Sequence, residues 1–192
     1  MMNCLQFDSK VKRSLNRVLK PAFAILFTSV LLQNSALANV NVEMHQVTKS
    51  GQGQGQLLGT ITLTENDHGV VFSPNLKGLT PGQHGFHVHQ FASCEPKKKG
   101  DKVVPGGGAG GHFDPKASEH HDYPWANGHL GDLPALYVNE SGQAKSPVLA
   151  PRLTLEQLKQ HAVMIHEGSD NYADEPKPLG GGGSRVACGV IE

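Results

Sequence analysis

The chain has 192 residues, 17 basic and 17 acidic, for a formal net charge of zero, and 38% of them are hydrophobic. That length fits one domain with a short appendage. The charge balance excludes the strongly basic surface with which a protein grips nucleic acid.

The appendage stands at the N-terminus. Lys10, Lys12, Arg13, Arg17 and Lys20 form a basic stretch, and Pro21 to Leu32 is apolar except for Thr28 and Ser29. The apolar run is too short to span a bilayer. It leads to Ala36, Leu37 and Ala38, the small-residue pattern of a signal-peptidase site, so residues 1–38 read as a cleaved secretory signal and 39–192 as the mature domain. Five of the 17 basic and one of the 17 acidic residues precede Asn39, which leaves 12 against 16 and a net charge of −4. Of the three cysteines, Cys4 lies in the signal. Cys94 and Cys188 remain, and in an exported protein two cysteines read as one disulfide.

Along the mature domain, Val40 to Thr48 alternates apolar with polar residues, and so does Leu57 to Glu65 after a Gly/Gln turn. Val70 to Ser73 follows Asn66, Asp67, His68 and Gly69, a hairpin signal. Gly85 to His89 reads as a fourth strand, with Phe86 and Val88 on one face and His87 and His89 on the other. Ala135 to Asn139, Ala144 to Leu149, Ala162 to His166 and Val186 to Ile191 bring the strands to about eight. Thr154 to Gln160 is expected to form a short helix capped by Thr154 with Gln157 three residues on. Two long segments, 90–133 and 167–184, carry no strand pattern, which in a domain of this size marks functional loops. Their glycine runs, Gly106 to Gly111 and Gly180 to Gly183, do not lead into Gly-Lys-Ser/Thr and are not phosphate loops.

All eleven histidines fall after Ala38. Two imidazoles at alternate positions of one strand sit about 7 Å apart, close enough to hold one ion, although such a pair alone is more often exposed or hydrogen-bonded than metal-binding. His112, His121, His129 and Asp132 share one loop and offer the nitrogen and oxygen ligands of a structural zinc ion. His166, at the end of a late strand, reads alone as a core histidine. His84 is expected to make a structural hydrogen bond to a loop, and His45 and His68 to face solvent.

These residues carry a resemblance. Gly85 Phe86 His87 Val88 His89, Gly110 to Pro115, His129 to Leu133, His166 Glu167 Gly168 and Gly183 to Gly189 are similar, in content and order, to the motifs of the copper/zinc superoxide dismutases, in particular their exported bacterial branch. The resemblance implies an all-β fold, a flattened eight-stranded antiparallel Greek-key barrel with two long loops and the Cys94–Cys188 disulfide. It implies copper ligands His87, His89, His112 and His166, and zinc ligands His112, His121, His129 and Asp132. His112 belongs to both sets as a bridging imidazolate, with His120 the competitor of His121. Asp170 is implied as the carboxylate linking a copper ligand to a zinc ligand, and Arg185 as the arginine that orients the anion. The implied reaction is disproportionation of superoxide to dioxygen and hydrogen peroxide, with one copper and one zinc per chain, protecting the cell envelope. A periplasmic location and no stable membrane association after cleavage go with it. Tyr123, Pro124 and Trp125 resemble the dimeric members and point to a homodimer. Lys97, Lys98, Lys99 and Lys102 read as a solvated run rather than a substrate-steering patch. The competing function is a non-catalytic module that binds or delivers copper and zinc; it would be expected to lack Arg185 or the bridge.

Overall fold

The computed structural model describes residues 39–192, so the expected signal segment lies outside the described residues. In chain order the strands are β1 (Asn39–Val47), β2 (Gln54–Asn66), β3 (Gly69–Lys77), β4 (Gly82–His84), β5 (Phe86–His89), β6 (Lys97–Lys99), β7 (Lys102–Val104), β8 (Leu136–Val138), β9 (Gln143–Ala144), β10 (Val148–Ala150), β11 (His161–His166) and β12 (Arg185–Ile191). One helical turn, α1 (Leu155–Leu158), stands between β10 and β11. The main sheet is antiparallel in the order β10–β3–β2–β1–β12–β11–β5, with β9 also paired to β3. β4 continues towards β5 across Gly85 and pairs with β8, which turns into β9 through Asn139 to Gly142. The sheet thereby curls back on itself as an all-β barrel. Setting aside the separate β6–β7 hairpin and counting β4 with β5 and β9 with β10 gives the eight strands that the alternation predicts.

The period-two pattern decides which side chains fill the barrel. Val42 and Met44, Ile61 and Leu63, Val70 and Phe72, Phe86 and Val88, and Val163 and Ile165 form one buried cluster. Phe72 meets Phe86 edge to face, with ring centroids 5.7 Å apart. The opposite parity of β5 and β11 places His87, His89, Met164 and His166 on the outer face. That face is also buried, because the two long loops cover it.

Three details depart from the sequence reading. β3 runs on to Lys77 through Pro74, which still pairs with Ile61. The helix is a single turn, although its capping box forms: the Thr154 side chain accepts from Gln157 N while the Gln157 side chain accepts from Thr154 N. The segment 90–133 contains a hairpin, β6–β7, turned at Gly100 and Asp101 with Gly100 at φ 60°. Its first strand is three exposed lysines, so no apolar alternation announces it.

Cys94 and Cys188 form the disulfide, with Cα atoms 5.7 Å apart across a sequence separation of 94. The bond pins the start of the 90–133 loop to β12, against Ala109, Ala162 and Met164. Closing a loop of that length is worth roughly 4–5 kcal/mol on chain-entropy grounds. Cys94→Ser/Cys188→Ser is therefore expected to unfold at markedly lower denaturant and with a steeper slope, because the unfolded chain without the cross-link is less compact, measured by urea titration of the metal-free protein.

Candidate metal centre

The free edge of β5 does not stay free. Gln90 N donates to Gly111 O at 3.0 Å, Phe113 N to Val88 O at 2.9 Å and Val88 N to Gly131 O at 2.9 Å. These bonds lay two stretches of the 90–133 loop along the strand, so that His112 pairs with His89 and Asp132 with His87. Gly131 has to be glycine, since a Cβ there would overlap the Val88 carbonyl oxygen. On its other side β5 pairs with β11, Met164 opposite His87, and His166 N donates to Gly85 O at 2.8 Å. Backbone pairing alone therefore brings together side chains from four separated stretches of sequence.

The result is a layered cluster of rings. His87 and His112 stack with centroids 4.0 Å apart, His87 and His166 lie 4.9 Å apart, and His89 and His112 5.2 Å apart. One ring nitrogen from each of His87, His89, His112 and His166 lies within 4.8 Å of all the others, and the same holds for His87, His112, His121 and an Asp132 oxygen. Asp132 Oδ1 is the hub of the second group. It stands 2.9 Å from His112 Nδ1, 2.9 Å from His121 Nδ1 and 3.3 Å from His129 Nδ1. His129 thus reaches the second group through the carboxylate. His120 does not enter either group; its ring is exposed and its Nδ1 lies 2.8 Å from Ser118 O.

Hydrogen bonds outside the cluster decide which ring atoms face in. Asp170 accepts from His87 Nε2 at 2.6 Å and from His121 Nε2 at 2.8 Å. Each of these rings then turns its Nδ1 inward: His87 Nδ1 is buried without a hydrogen-bond partner, and His121 Nδ1 stands 2.9 Å from Asp132 Oδ1. His89 Nδ1 donates to Gly110 O and His166 Nδ1 to Gly183 O, at 3.0 and 3.3 Å. Their Nε2 atoms consequently face each other at 3.4 Å as lone pairs. Buried acceptors without donors are costly for a protein to keep, and a cation is the partner that satisfies all of them at once.

The electrostatics agree with that reading. Burial, then the repulsion that a proton on His87 would meet from one on the adjacent His112 or His166, push the pKa of His87 well below the ordinary imidazole value. His89 and His112 are lowered chiefly by burial, and His166 is lowered to about 4 by burial and His112. Four adjacent imidazoles are thus held neutral, the form that binds a metal. For His121 burial works the other way from its partners, but the hydrogen bonds to Asp132 and Asp170 win and raise it to about 9. Burial likewise opposes ionisation of Asp132 and Asp170, and the bonds from their histidines still hold both carboxyls well below the usual range.

The second loop supplies the rest. Asp170 is fixed by Tyr172 N at 2.8 Å and by the turn at Gly180, φ 71°, where a Cβ would stand 2.6 Å from His121 Nε2. Arg185 pairs with His166 across β11 and β12, and its guanidinium donates to the carbonyls of Gly106 and Gly110. Gly110 O thus receives both Arg185 and His89.

Sequence reasoning missed three residues. Asp174 accepts from His121 N at 2.9 Å and Leu179 N at 3.1 Å, tying one loop to the other. Tyr172 accepts from Ala135 N and stacks on Tyr123. Arg152 grips loop carbonyls from outside. None stands in a motif, and only their contacts reveal them. Of the remaining histidines, His84 lies 2.6 Å from His166 O and 2.8 Å from Thr80 O, so its structural bonds reach the β11 end as well as a loop. His45 is half-buried, with its Nδ1 3.3 Å from Gly55 O, rather than solvent-facing, because β2 runs beside it.

Residues 57–191 match the family model described as copper/zinc superoxide dismutase. The chain belongs to the copper/zinc superoxide dismutase family. It is 53% identical over 175 residues to the Photobacterium leiognathi enzyme, covering 89% of this chain and 98% of that one. Identity to the Escherichia coli K12 enzyme is 51% over 164 residues, covering 85% and 94%. The structure of the Brucella abortus copper/zinc superoxide dismutase superposes with a TM-score of 0.78 at 47% identity, over 81% of this chain and all of that one. A Salmonella enterica family member whose solution structure is described as monomeric gives 0.72 at 51% identity, again over 81% and 100%. Family membership brings copper and zinc, and the clustered nitrogens described above are able to hold them.

Proposed function

We propose that the chain disproportionates superoxide, with copper held by His87 Nδ1, His89 Nε2, His112 Nε2 and His166 Nε2. Zinc would be held by His112, His121 and His129, whose Nδ1 atoms all turn to Asp132 Oδ1, and by Asp132 itself. The observation that carries this reading is His112. Its Nδ1 stands 2.9 Å from the Asp132 oxygen that also meets His121 and His129, while its ring stacks on His87, so one imidazole serves both sets.

When bound, copper supplies one-electron cycling between two oxidation states, and zinc, which has no redox chemistry, supplies fixed charge. The chain does the rest. Asp170 sets the tautomers of His87 and His121, one from each set, and so couples their orientations. The loops exclude bulk water, and His112 and His166 each keep only 7% exposure, a mouth fit for a very small substrate. Arg185, the cation at that mouth, draws and orients an anion. His112 Nε2 is the proton carrier, since its other nitrogen stays committed to the Asp132 side. Two superoxide ions and two protons give one dioxygen and one hydrogen peroxide.

The storage or delivery module accounts less well for Arg185. Its carbonyl clamp fixes an anion-facing charge for which stored metal has no use.

The deciding measurement is metal content together with the rate of superoxide disproportionation by the purified protein. One copper and one zinc per chain with rapid turnover are expected. Full metal without turnover would refute the enzyme and favour the module.

We also place the mature protein in the periplasm, released by cleavage after Ala38. The basic and apolar N-terminal run supports this, and among the described residues no helix is long and apolar enough to cross a membrane. A homodimer is supported by the exposed aromatic stack of the 90–133 loop, where Trp125 is 68% exposed and lies on Tyr123 at 5.2 Å.

A further inference from the structure

Arg152 follows β10 and lies 20 residues beyond Asp132 in sequence, and no function described so far uses it. All of its side-chain nitrogens are spent on one loop. Nε donates to Pro124 O at 2.7 Å, one terminal nitrogen to Gly128 O at 3.1 Å and the other to His129 O at 2.5 Å. Among the described residues no carboxylate lies within salt-bridge distance of it. A guanidinium turned wholly to backbone carbonyls is a geometric device, since its planar fork fixes both distance and direction.

Its base is rigid. Leu153, the next residue, is buried in the core, Thr154 caps α1, and Leu155 N donates to Glu65 Oε2 of β2 at 2.8 Å. Its target is the limb that joins His121 to His129. That limb closes on itself where His129 N donates to His120 O at 3.1 Å and where Gly128 comes so close to Asp122 that a Cβ would stand 2.6 Å from the Asp122 Cβ. With His129 N given to His120 and His129 O to Arg152, the peptide groups on both sides of that Cα are held. The direction in which the His129 ring leaves the backbone is thereby set.

We propose that Arg152 is a positioning residue for the zinc half of the site, acting through the backbone of the His121–His129 limb and touching no ligand side chain. The inference rests on the zinc assignment made above. It predicts a selective defect, because the limb carries His121 and His129 but none of His87, His89 and His166.

The test compares the purified protein with Arg152→Met and Arg152→Lys, all stripped of metal. Zinc affinity is measured by competition with a chromophoric chelator, the ligand field at that position by the visible absorption of bound Co²⁺, copper affinity separately, and unfolding by thermal melting. Arg152→Met is expected to weaken zinc by about tenfold to a hundredfold, the range found when a partner that orients a ligand is lost. It should also shift the Co²⁺ bands and leave copper affinity and the metal-free melting temperature close to those of the parent. Arg152→Lys, with one compact ammonium in place of a fork, should fall between the two, and it gives the same readings if the methionine variant does not fold. Zinc affinity within about threefold of the parent in the variants would overturn the proposal. Zinc and copper affinity falling in step with the melting temperature would overturn it too, by showing general support of the fold. If the parent itself gives no tetrahedral Co²⁺ spectrum, the zinc assignment fails and takes the clamp with it. If the parent gives it and the variants match, only the clamp fails.

Discussion

His112→Ala is expected to lower superoxide disproportionation by about a hundredfold or more, beyond the range seen for loss of an outer partner, because on the proposed assignment it deletes a ligand from both metals at once. No other side chain can take its place. On one side the His112 ring meets His87, His89 and His166; on the other its Nδ1 reaches Asp132. Alanine opens a gap between the two groups and leaves the buried Asp132 carboxylate with one donor fewer. The backbone is expected to survive, since the neighbouring tie from Gln90 N to Gly111 O involves no histidine ring. Metal analysis and activity on the same sample check this. Substoichiometric copper and zinc with collapsed turnover is the expected pair. Near-normal turnover would mean that the shared imidazole is not central to the chemistry.

The strands on which this site is built were readable because burial on one face of a strand writes itself as alternation. In Phe86 to His89 the two residues that fill the barrel and the two that face the loops take turns, and the ladder to β11 then brings His166 alongside. The His-x-His pair alone is ambiguous; its reading as a metal pair comes from the resemblance to the family motifs. The loops were legible only as lists of candidate ligands. Between the adjacent His120 and His121 the family spacing favours His121, and the contacts that set His121 apart come from a different loop, where Asp170 and Asp174 bind its ring and its backbone N. Arg152 is hidden for a similar reason, since its partners are carbonyl oxygens, which every residue has. The β6–β7 hairpin escaped because its first strand buries no side chain and so leaves no periodic trace.

The second large effect is expected at a residue that binds no metal. Asp170→Ala removes the acceptor of two ring N–H groups, those of His87 Nε2 and His121 Nε2, at a place with no exposed surface on any of the three side chains. Each orphaned donor costs about 1–3 kcal/mol, and each ring gains the freedom to carry its proton on Nδ1 instead, where it blocks the atom that faces the ion. Asp170→Asn separates these contributions. It keeps the shape and one acceptor, but its amide NH₂ must face one of the two histidine N–H groups, donor against donor, so that histidine has to move its proton to Nδ1. Both substitutions are therefore expected to weaken zinc and copper alike, by about tenfold to a hundredfold, because each proposed set has one ligand, His121 or His87, whose ring Asp170 orients. Metal titrations of the two stripped variants check this. If Asp170→Asn bound zinc as tightly as the parent, the carboxylate would be holding only the loop, through Tyr172 N, and the proton placement on His87 and His121 would have to be set by something else.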